Sequence, residues 1–211
     1  MPIVGLVGTN NLSTAIIILG IGVILIFVAS PKYAQFALMG IAGACFMGIF
    51  LALESYRLER LAIWRNPEKY EKGYQTLQGL YAIGSGGVFG VGIGNSVQKL
   101  GFVPEAQNDM IFSIICEELG LAGAGIIVFL FLLLIWRFFL IASGSRDLFG
   151  ALIATGAMAH MMIQVILNIA VVTNTIPNTG ITLPFISYGG TSVMFLLIEM
   201  GLVLSVSQVV D

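Results

Sequence analysis

Long apolar runs constrain the fold of this chain more than any other sequence feature. The runs that approach or exceed the length of a membrane-spanning helix are residues 11–30, 34–56, 110–141, 148–172 and 188–209. A helix rises about 1.5 Å per residue, so roughly 20 apolar residues cross the hydrocarbon core of a bilayer. Only 9% of the 211 residues are charged, whereas soluble domains carry about 25%. The pattern predicts an all-α, polytopic transmembrane helix bundle and excludes a soluble enzyme, a disordered segment and a nucleic-acid binder.

The first apolar run has a second interpretation, as the core of a secretory signal peptide. Such a signal carries basic residues before its apolar core, but no Lys or Arg precedes Lys32. We therefore interpret residues 11–30 as a spanning helix. A cleaved signal with Val28-Ala29-Ser30 as its small-residue site is the alternative.

The glycine-rich segment 74–94 is harder to assign than the other apolar runs. Its seven glycines favour irregular backbone, which persists in a membrane only where protein or water covers it. We predict a sixth span here, in a short, tilted or partly re-entrant form. Six spans place both termini on one face of the membrane.

The distribution of basic residues then orients the bundle, because cytoplasmic loops are enriched in Lys and Arg. The basic residues that six spans place on one face are Arg57, Arg60, Arg65, Lys69, Lys72, Arg137 and Arg146. The opposite face carries Lys32 and Lys99. We therefore predict cytoplasmic termini and a cytoplasmic loop 57–73, with loops 95–109 and 173–187 facing outward.

Polar side chains inside spans are costly and are usually paired or functional. His160, Gln164 and Asn168 are spaced four residues apart, which places them on one helix face. Two interpretations stay open for this stripe: hydrogen bonding between helices, or the lining of a polar cavity. Glu199 lies in a different apolar run, and we expect it to meet a partner inside the bundle.

Polar residues also gather in the loop 95–109. Asp109 comes directly before an apolar run, where an acid caps or stabilises the start of a helix. The same stretch contains Lys99 and Glu105, and Glu118 follows about two helical turns later. Acids and a base collected at an outer membrane face are typical of a binding site for a polar headgroup.

The loop 173–187 is the second candidate for this outward site. The stretch 176–192, which includes most of this loop, is rich in Pro and Gly, and the hydroxyl groups of Ser187 and Ser192 could bind sugar or phosphate oxygens. We predict a single transmembrane domain over residues 1–211, with its site formed by loops 95–109 and 173–187.

Two long motifs resemble those of a known family. PNTGITLPFISYGGTS at residues 177–192 and the block from GYQTLQG to EELGLAG at residues 73–123 are similar to the SEDS family of FtsW, RodA and SpoVE. The stretches NSVQK at 95–99 and PNTG at 177–180 look more like the FtsW and SpoVE branch than RodA. Family members have about ten spans, and this chain resembles the C-terminal six.

The resemblance implies a peptidoglycan glycosyltransferase that polymerises lipid II at the outer face of the cytoplasmic membrane during cell division, at the septum. Its implied partners are a class B penicillin-binding transpeptidase and other division proteins. The family's essential outward acid falls on Asp109 within Asn-Asp-Met-Ile-Phe, where Met110 replaces a Phe. A sugar hydroxyl attacks only when a base removes its proton, and Asp109 is the predicted base.

The departing pyrophosphate requires neutralisation of its charge. Lys99, a second cation or a bound divalent metal ion could supply it, and no cofactor is assigned. The predicted substrate-binding residues are Lys99, Glu105, Glu118, Gln164, Asn168, Ser187 and Ser192. Two other functions remain open: a lipid II transporter, and an inactive fragment or scaffold of the division machinery.

Overall fold

The regular structure of this chain is helical throughout the part that can be described. A computed structural model describes Val7, residues 11–30, Gly40, Gly43 and residues 55–208. The α-helices are α1 (Leu12–Ala29), α2 (Ser55–Arg65), α3 (Tyr74–Gly86), α4 (Ile111–Gly144), α5 (Leu148–Val172) and α6 (Gly190–Ser207). Short 3-10 turns lie at Pro67–Lys69, Glu71–Gly73 and Gln98–Leu100. The predicted span 34–56 falls almost entirely outside the described residues.

Three of these helices are long and apolar enough to cross a membrane. They are α4, α5 and α6, with 34, 25 and 18 residues. Their bounds lie within three residues of the predicted runs, and α1 likewise matches the run 11–30. The predicted all-α, polytopic membrane fold is therefore confirmed.

The described chain divides into two compact units. The first contains the described parts of Met1–Glu59, Ile135–Ile163 and Leu197–Asp211, and the second contains Arg60–Leu134 and Gln164–Leu196. A single domain over residues 1–211 stays a prediction.

Small residues allow the helices of the first unit to approach closely. A Cβ atom added to Gly20 of α1 would lie 2.7 Å from Cδ1 of Ile163 in α5, and one added to Gly156 would lie 3.7 Å from Leu25. Such contacts between small and large side chains are a usual way to pack helices in a membrane. At the start of α5, the Asp147 carboxylate caps the helix by accepting a 3.0 Å hydrogen bond from the amide of Gly150.

In the second unit, the glycine-rich segment fills a break in α4. The break lies at Gly120, whose φ of 68° and ψ of −173° are not helical. A broken helix leaves amide and carbonyl groups without partners in the helix, and residues 87–92 supply partners for four of them. The bonds run from the amides of Leu121 and Ala122 to the carbonyls of Gly87 and Val88, and from the amides of Val91 and Gly92 to the carbonyls of Glu117 and Glu118, at 2.9 to 3.0 Å.

This interlocking requires glycine where the two backbones meet. A Cβ atom added to Gly86 would lie 1.9 Å from the carbonyl oxygen of Cys116. One added to Gly90 would lie 2.2 Å from that of Glu118. Close approach of two backbones thus explains the glycine content of this segment.

The segment 74–94 does not cross the membrane as a sixth span. Its helix α3 has 13 residues, about 20 Å, which is too short for the hydrocarbon core. The Gln75 side chain at the start of α3 contacts Asp109, which directly precedes α4 after the chain has returned. The segment therefore enters and leaves at the same end of α4, and of the predicted forms the re-entrant one is correct.

The prediction that the loops 57–73 and 173–187 lie on opposite faces is wrong for the same reason. The indole nitrogen of Trp64 in α2 donates a 2.9 Å hydrogen bond to the carbonyl of Asn174, so the loop 57–73 and the loop 173–187 lie at one end of the bundle. The sequence predicts opposite faces for them only if the segment 74–94 is a span. The prediction that both termini are cytoplasmic depended on that count and no longer follows.

Candidate active site

The Asp109 carboxyl group lies at the centre of a polar chain in the second unit. Asp109 is in the turn before α4 and is 8% exposed. The Gln75 side-chain amide donates to its two carboxylate oxygens, at 3.3 and 3.4 Å. The Gln75 carbonyl in turn accepts a 3.4 Å bond from the side-chain amide of Asn178, and the Arg60 guanidinium donates to the Asn178 backbone carbonyl at 3.3 Å. A cation is thereby linked to the carboxyl group through Asn178, by its backbone carbonyl and its side chain, and through the side chain of Gln75.

Burial raises the pKa of the Asp109 carboxyl group above its ordinary value of 3.8. Removal from water disfavours the charged form, and the nearby Glu105 carboxylate adds to this effect. The hydrogen bond from Gln75 and those from backbone amides oppose the rise. The group is therefore a stronger base than an exposed aspartate.

Three consecutive backbone carbonyls hold the turn that carries Asp109. The carbonyl of Gln107 accepts from the amide of Tyr188 at 2.8 Å, that of Asn108 accepts from the Ser187 hydroxyl at 2.6 Å, and that of Asp109 accepts from the Asn168 side-chain amide at 2.8 Å. The loops 95–109 and 173–187 are thus bound to each other, as the predicted shared site requires.

Backbone strain is concentrated in the same two loops. Among the described residues, the non-glycine residues with positive φ are Glu105 at 51°, Asn174 at 55° and Phe185 at 62°. Asn adopts this conformation at little cost, whereas Glu and Phe do so rarely. Strain of this kind persists where the surrounding contacts enforce it, and it often marks a functional site.

Lys99 belongs to a second polar cluster, deeper along α4. Its ammonium group lies 2.5 Å from a carboxylate oxygen of Glu118. The neighbouring Glu117 is 3% exposed and accepts hydrogen bonds from the Ser96 hydroxyl and from two backbone amides. Glu118 lies seven residues, or about 10 Å, beyond the start of α4. These contacts anchor the returning chain and do not join Lys99 to the aspartate.

Comparison with known proteins places the chain in a family. The whole chain, residues 1–211, matches the FtsW/RodA/SpoVE family model, described as cell cycle protein. The chain belongs to the FtsW/RodA/SpoVE family.

Two curated relatives show how much of a family member this chain covers. It is 44% identical over 201 residues to stage V sporulation protein E of Bacillus subtilis (strain 168), covering 94% of this chain and 55% of that protein. It is 42% identical over 188 residues to the probable peptidoglycan glycosyltransferase FtsW of Coxiella burnetii, covering 87% of this chain and 50% of that protein. The chain therefore spans about half the length of these relatives.

Two solved structures share the fold. One is a chain from a study of the structural coordination of polymerization and crosslinking by a peptidoglycan synthase complex, with a TM-score of 0.80, 28% identity, and coverage of 98% of this chain and 59% of that chain. The other is a mutant of the rod shape determining protein RodA of Thermus thermophilus, with a TM-score of 0.64, 26% identity, and coverage of 99% and 54%.

The remaining predicted site residues of this family member lie around the two loops. The Gln164 side-chain amide bonds to the Thr182 hydroxyl at 3.4 Å. Glu105 is exposed and accepts a bond from the Asn108 side chain, while Ser192 lies half-buried in the first turn of α6. Substrate binding by these residues stays a prediction. Within the described residues, no group of three His, Cys, Asp or Glu side chains is placed to hold a metal ion, and the divalent cation also stays a prediction.

All three residues of the polar stripe on α5 bond to other protein groups. In the first unit, Nδ1 of His160 lies 2.9 Å from the Glu199 carboxylate, which confirms a partner for Glu199 inside the bundle. In the second unit, Gln164 and Asn168 bond to the loop 173–187. These bonds agree with hydrogen bonding as the role of the stripe; the polar cavity, on which the transporter interpretation depends, stays a prediction.

We expect His160 and Glu199 to stabilise the first unit as a pair. Hydrogen bonds between membrane helices contribute about 1 kcal/mol, so a double-mutant cycle with His160→Phe and Glu199→Gln should give a coupling energy near that value. The measurement is unfolding of the detergent-solubilised protein. A cycle that pairs Glu199→Gln with Thr155→Val, five residues before His160 on α5, should show no coupling. Coupling near zero in the first cycle would mean that the pair adds nothing to stability.

Sequence reasoning missed the residues that surround the aspartate. Gln75, Asn178 and Arg60 were not predicted, although Gln75 and Asn178 lie inside the two motifs quoted above. Amide side chains within long shared motifs were the available indication. Their convergence depends on the re-entrant path of the chain.

Proposed function

We propose that this chain provides the catalytic half of a peptidoglycan glycosyltransferase that polymerises lipid II outside the cytoplasmic membrane, with Asp109 as general base. The observation that carries the proposal is a buried carboxyl group of raised pKa at the mouth of a membrane-spanning helix. The names of the curated relatives support the reaction class. This proposal places the Asp109 end of the bundle at the outer face of the membrane.

The reaction requires one base close to the lipid headgroups. A sugar hydroxyl of one lipid II attacks the anomeric carbon of another, a new glycosidic bond forms, and the bond to undecaprenyl pyrophosphate breaks. Asp109 takes the hydroxyl proton as the oxygen attacks, and Gln75 orients the carboxylate through its two hydrogen bonds. A single carboxylate suits direct displacement with inversion, since retention would require a carboxylate nucleophile.

The pyrophosphate leaving group requires a cation near the base. Lys99 pairs with Glu118, about 10 Å beyond the start of α4, and is not linked to Asp109. Arg60 is exposed and is linked to Asp109 through Asn178 and Gln75, which favours it for stabilising the developing phosphate charge. Guanidinium groups suit phosphate because their donors match two oxygens at once.

We further propose a class B penicillin-binding transpeptidase as partner, with other division proteins at the septum. The synthase complex among the similar structures combines polymerization with crosslinking, which supports a crosslinking partner. The relatives include a stage V sporulation protein, and the family is described as cell cycle protein, so the proposal extends to wall building in sporulation as well as in division.

The experiment is a polymerisation assay with purified lipid II, followed by separation of glycan strands on a gel. This chain is tested alone, with the transpeptidase, and joined to the N-terminal half of the Bacillus subtilis relative. Glycan strands from any of these preparations support the proposal. Absence of strands from all three, with labelled lipid II crossing vesicles, would establish transport instead. Binding of the transpeptidase with neither activity would establish a scaffold.

As the pH is lowered, the rate of strand formation should fall at a higher pH than it would if the base were an exposed aspartate. The base works only when ionised, and burial raises the pKa of Asp109 above 3.8. Initial rates of strand formation between roughly pH 4 and 8 measure the acid limb, because raised carboxyl pKa values fall in this range. An acid limb at the ordinary aspartate value would contradict Asp109 as the buried base.

A further inference from the structure

We propose that Asn168 is a positioning residue that holds Asp109 in place for catalysis. The inference rests on the proposed function, and it replaces the substrate contact predicted for this side chain. Asn168 lies on α5, is fully buried, and directs its amide at the backbone of the two site loops.

The donors of Asn168 are fully used by the protein. Its Nδ2 atom donates to the carbonyl of Asp109 at 2.8 Å and to the carbonyl of Ile181 at 2.7 Å. A side-chain amide has two N–H groups, so neither is left for a substrate. The side chain of Asn168 thus connects the turn that carries Asp109 to the loop 173–187. It also attaches both of these segments to the helix α5.

The side-chain oxygen of Asn168 indicates that this residue does more than pack. The side-chain oxygen of Asn168 is buried and has no hydrogen-bond partner in the described structure. A buried acceptor without a partner costs stability. An apolar residue of the same shape would avoid that cost, so the two donated bonds are the feature that favours Asn here.

Asn168 acts together with a second attachment from the same loop. The Ser187 hydroxyl donates to the carbonyl of Asn108 at 2.6 Å and accepts from the amide of Leu183 at 2.7 Å. The turn that carries Asp109 is therefore attached at two successive backbone carbonyls, that of Asn108 to Ser187 of the loop 173–187 and that of Asp109 to Asn168 of α5. Without Asn168, the hydrogen bond to the carbonyl of Asp109 is lost, while the bond to the carbonyl of Asn108 remains.

Replacing Asn168 should lower kcat and leave KM nearly unchanged. Misplacing a catalytic group by about 1 Å costs on the order of 10²-fold in rate, and we expect a loss of that size in Asn168→Leu and in Asn168→Asp, which keeps the shape but cannot donate when ionised. The acid limb of the rate profile of Asn168→Leu should move to lower pH, because a loosened turn exposes the carboxyl group. Thr155→Val, a buried polar change on the same helix, should alter neither quantity.

Hydrogen exchange tests the hold on Asp109 independently of activity. Both Asn168 variants should exchange amide hydrogens faster across residues 105–112, and Thr155→Val should not. Unchanged exchange with wild-type kcat, or a lowered melting temperature with kcat and the acid limb unchanged, would overturn the inference. If the wild-type protein makes no glycan strands, the proposed function fails, while the exchange rates still decide whether Asn168 holds this turn.

Discussion

Asp109→Asn should lower the rate of glycan strand formation by about 10²–10⁴-fold, the usual contribution of a general base. Asn cannot accept the proton of the attacking hydroxyl, but it keeps the shape of the side chain and an oxygen that can accept from Gln75. The measurement is the initial rate with lipid II at saturating concentration, in whichever preparation of the wild-type protein is active.

The substituted protein should fold at least as well as the wild type at neutral pH. Because the pKa of Asp109 is raised, the folded state binds this proton more tightly than the unfolded state does. Stability therefore falls as the pH rises from the unfolded pKa through the folded one, and the charged form is a cost above that window. Asn removes that cost, so a loss of activity is separable from a loss of folding.

Asp147→Asn provides the matched control. It makes the same chemical change at the start of α5, where Asn caps a helix about as well as Asp. We expect a rate within twofold of wild type, a range on the order of ordinary surface substitutions. Undiminished strand formation by Asp109→Asn would exclude this carboxylate as the base and leave the site without its central group.

Hydropathy was sufficient to predict most of the helices. The bounds of α4, α5 and α6 follow from apolar length, because a membrane forces the backbone to satisfy its own hydrogen bonds. The break at Gly120 was not predictable in this way. A single glycine within an apolar run looks the same whether it packs in a helix or interrupts one.

The topology prediction failed because it depended on counting basic residues in the loops. The re-entrant path turns on backbone contacts between residues 87–92 and α4, which no periodicity records. Once that segment is treated as a span, the basic loop 57–73 is assigned to the opposite face from the loops 95–109 and 173–187. Arg60 then could not be placed beside the loop 173–187, although the two are in contact.

The site was predicted at the level of its loops and its acid. Asp109 and the two loops followed from motifs and from polar residues at a helix mouth. The partners of that acid did not, because Gln75, Asn168 and Asn178 are separated from it by 34 to 69 residues in sequence. Only the folded chain shows that Gln75 bonds to the carboxylate, Asn178 to Gln75, and Asn168 to the backbone carbonyl of Asp109.

Gly120→Ala should destabilise the second unit by at least about 3 kcal/mol, from a left-handed backbone conformation combined with overpacking. The added Cβ atom would lie 2.4 Å from the amide nitrogen of Gly90 and 2.4 Å from the carbonyl oxygen of Val88. Both are backbone atoms, so no side-chain rotation relieves the clash. The re-entrant segment must then withdraw from α4, and the bonds that bridge the break are lost with it.

Gly125→Ala is the control for this substitution, five residues further along α4. An added Cβ atom meets nothing within 4 Å there, and Ala favours a helix over Gly by about 0.8–1.0 kcal/mol. We therefore expect an unchanged or higher melting temperature in detergent for Gly125→Ala, and a strongly lowered one, or aggregation on gel filtration, for Gly120→Ala. Equal stability of the two variants would mean that the re-entrant segment does not pack into the break. The anchoring of the returning chain on Glu117 and Glu118 would then lose its structural basis, since both acids lie directly beside that break.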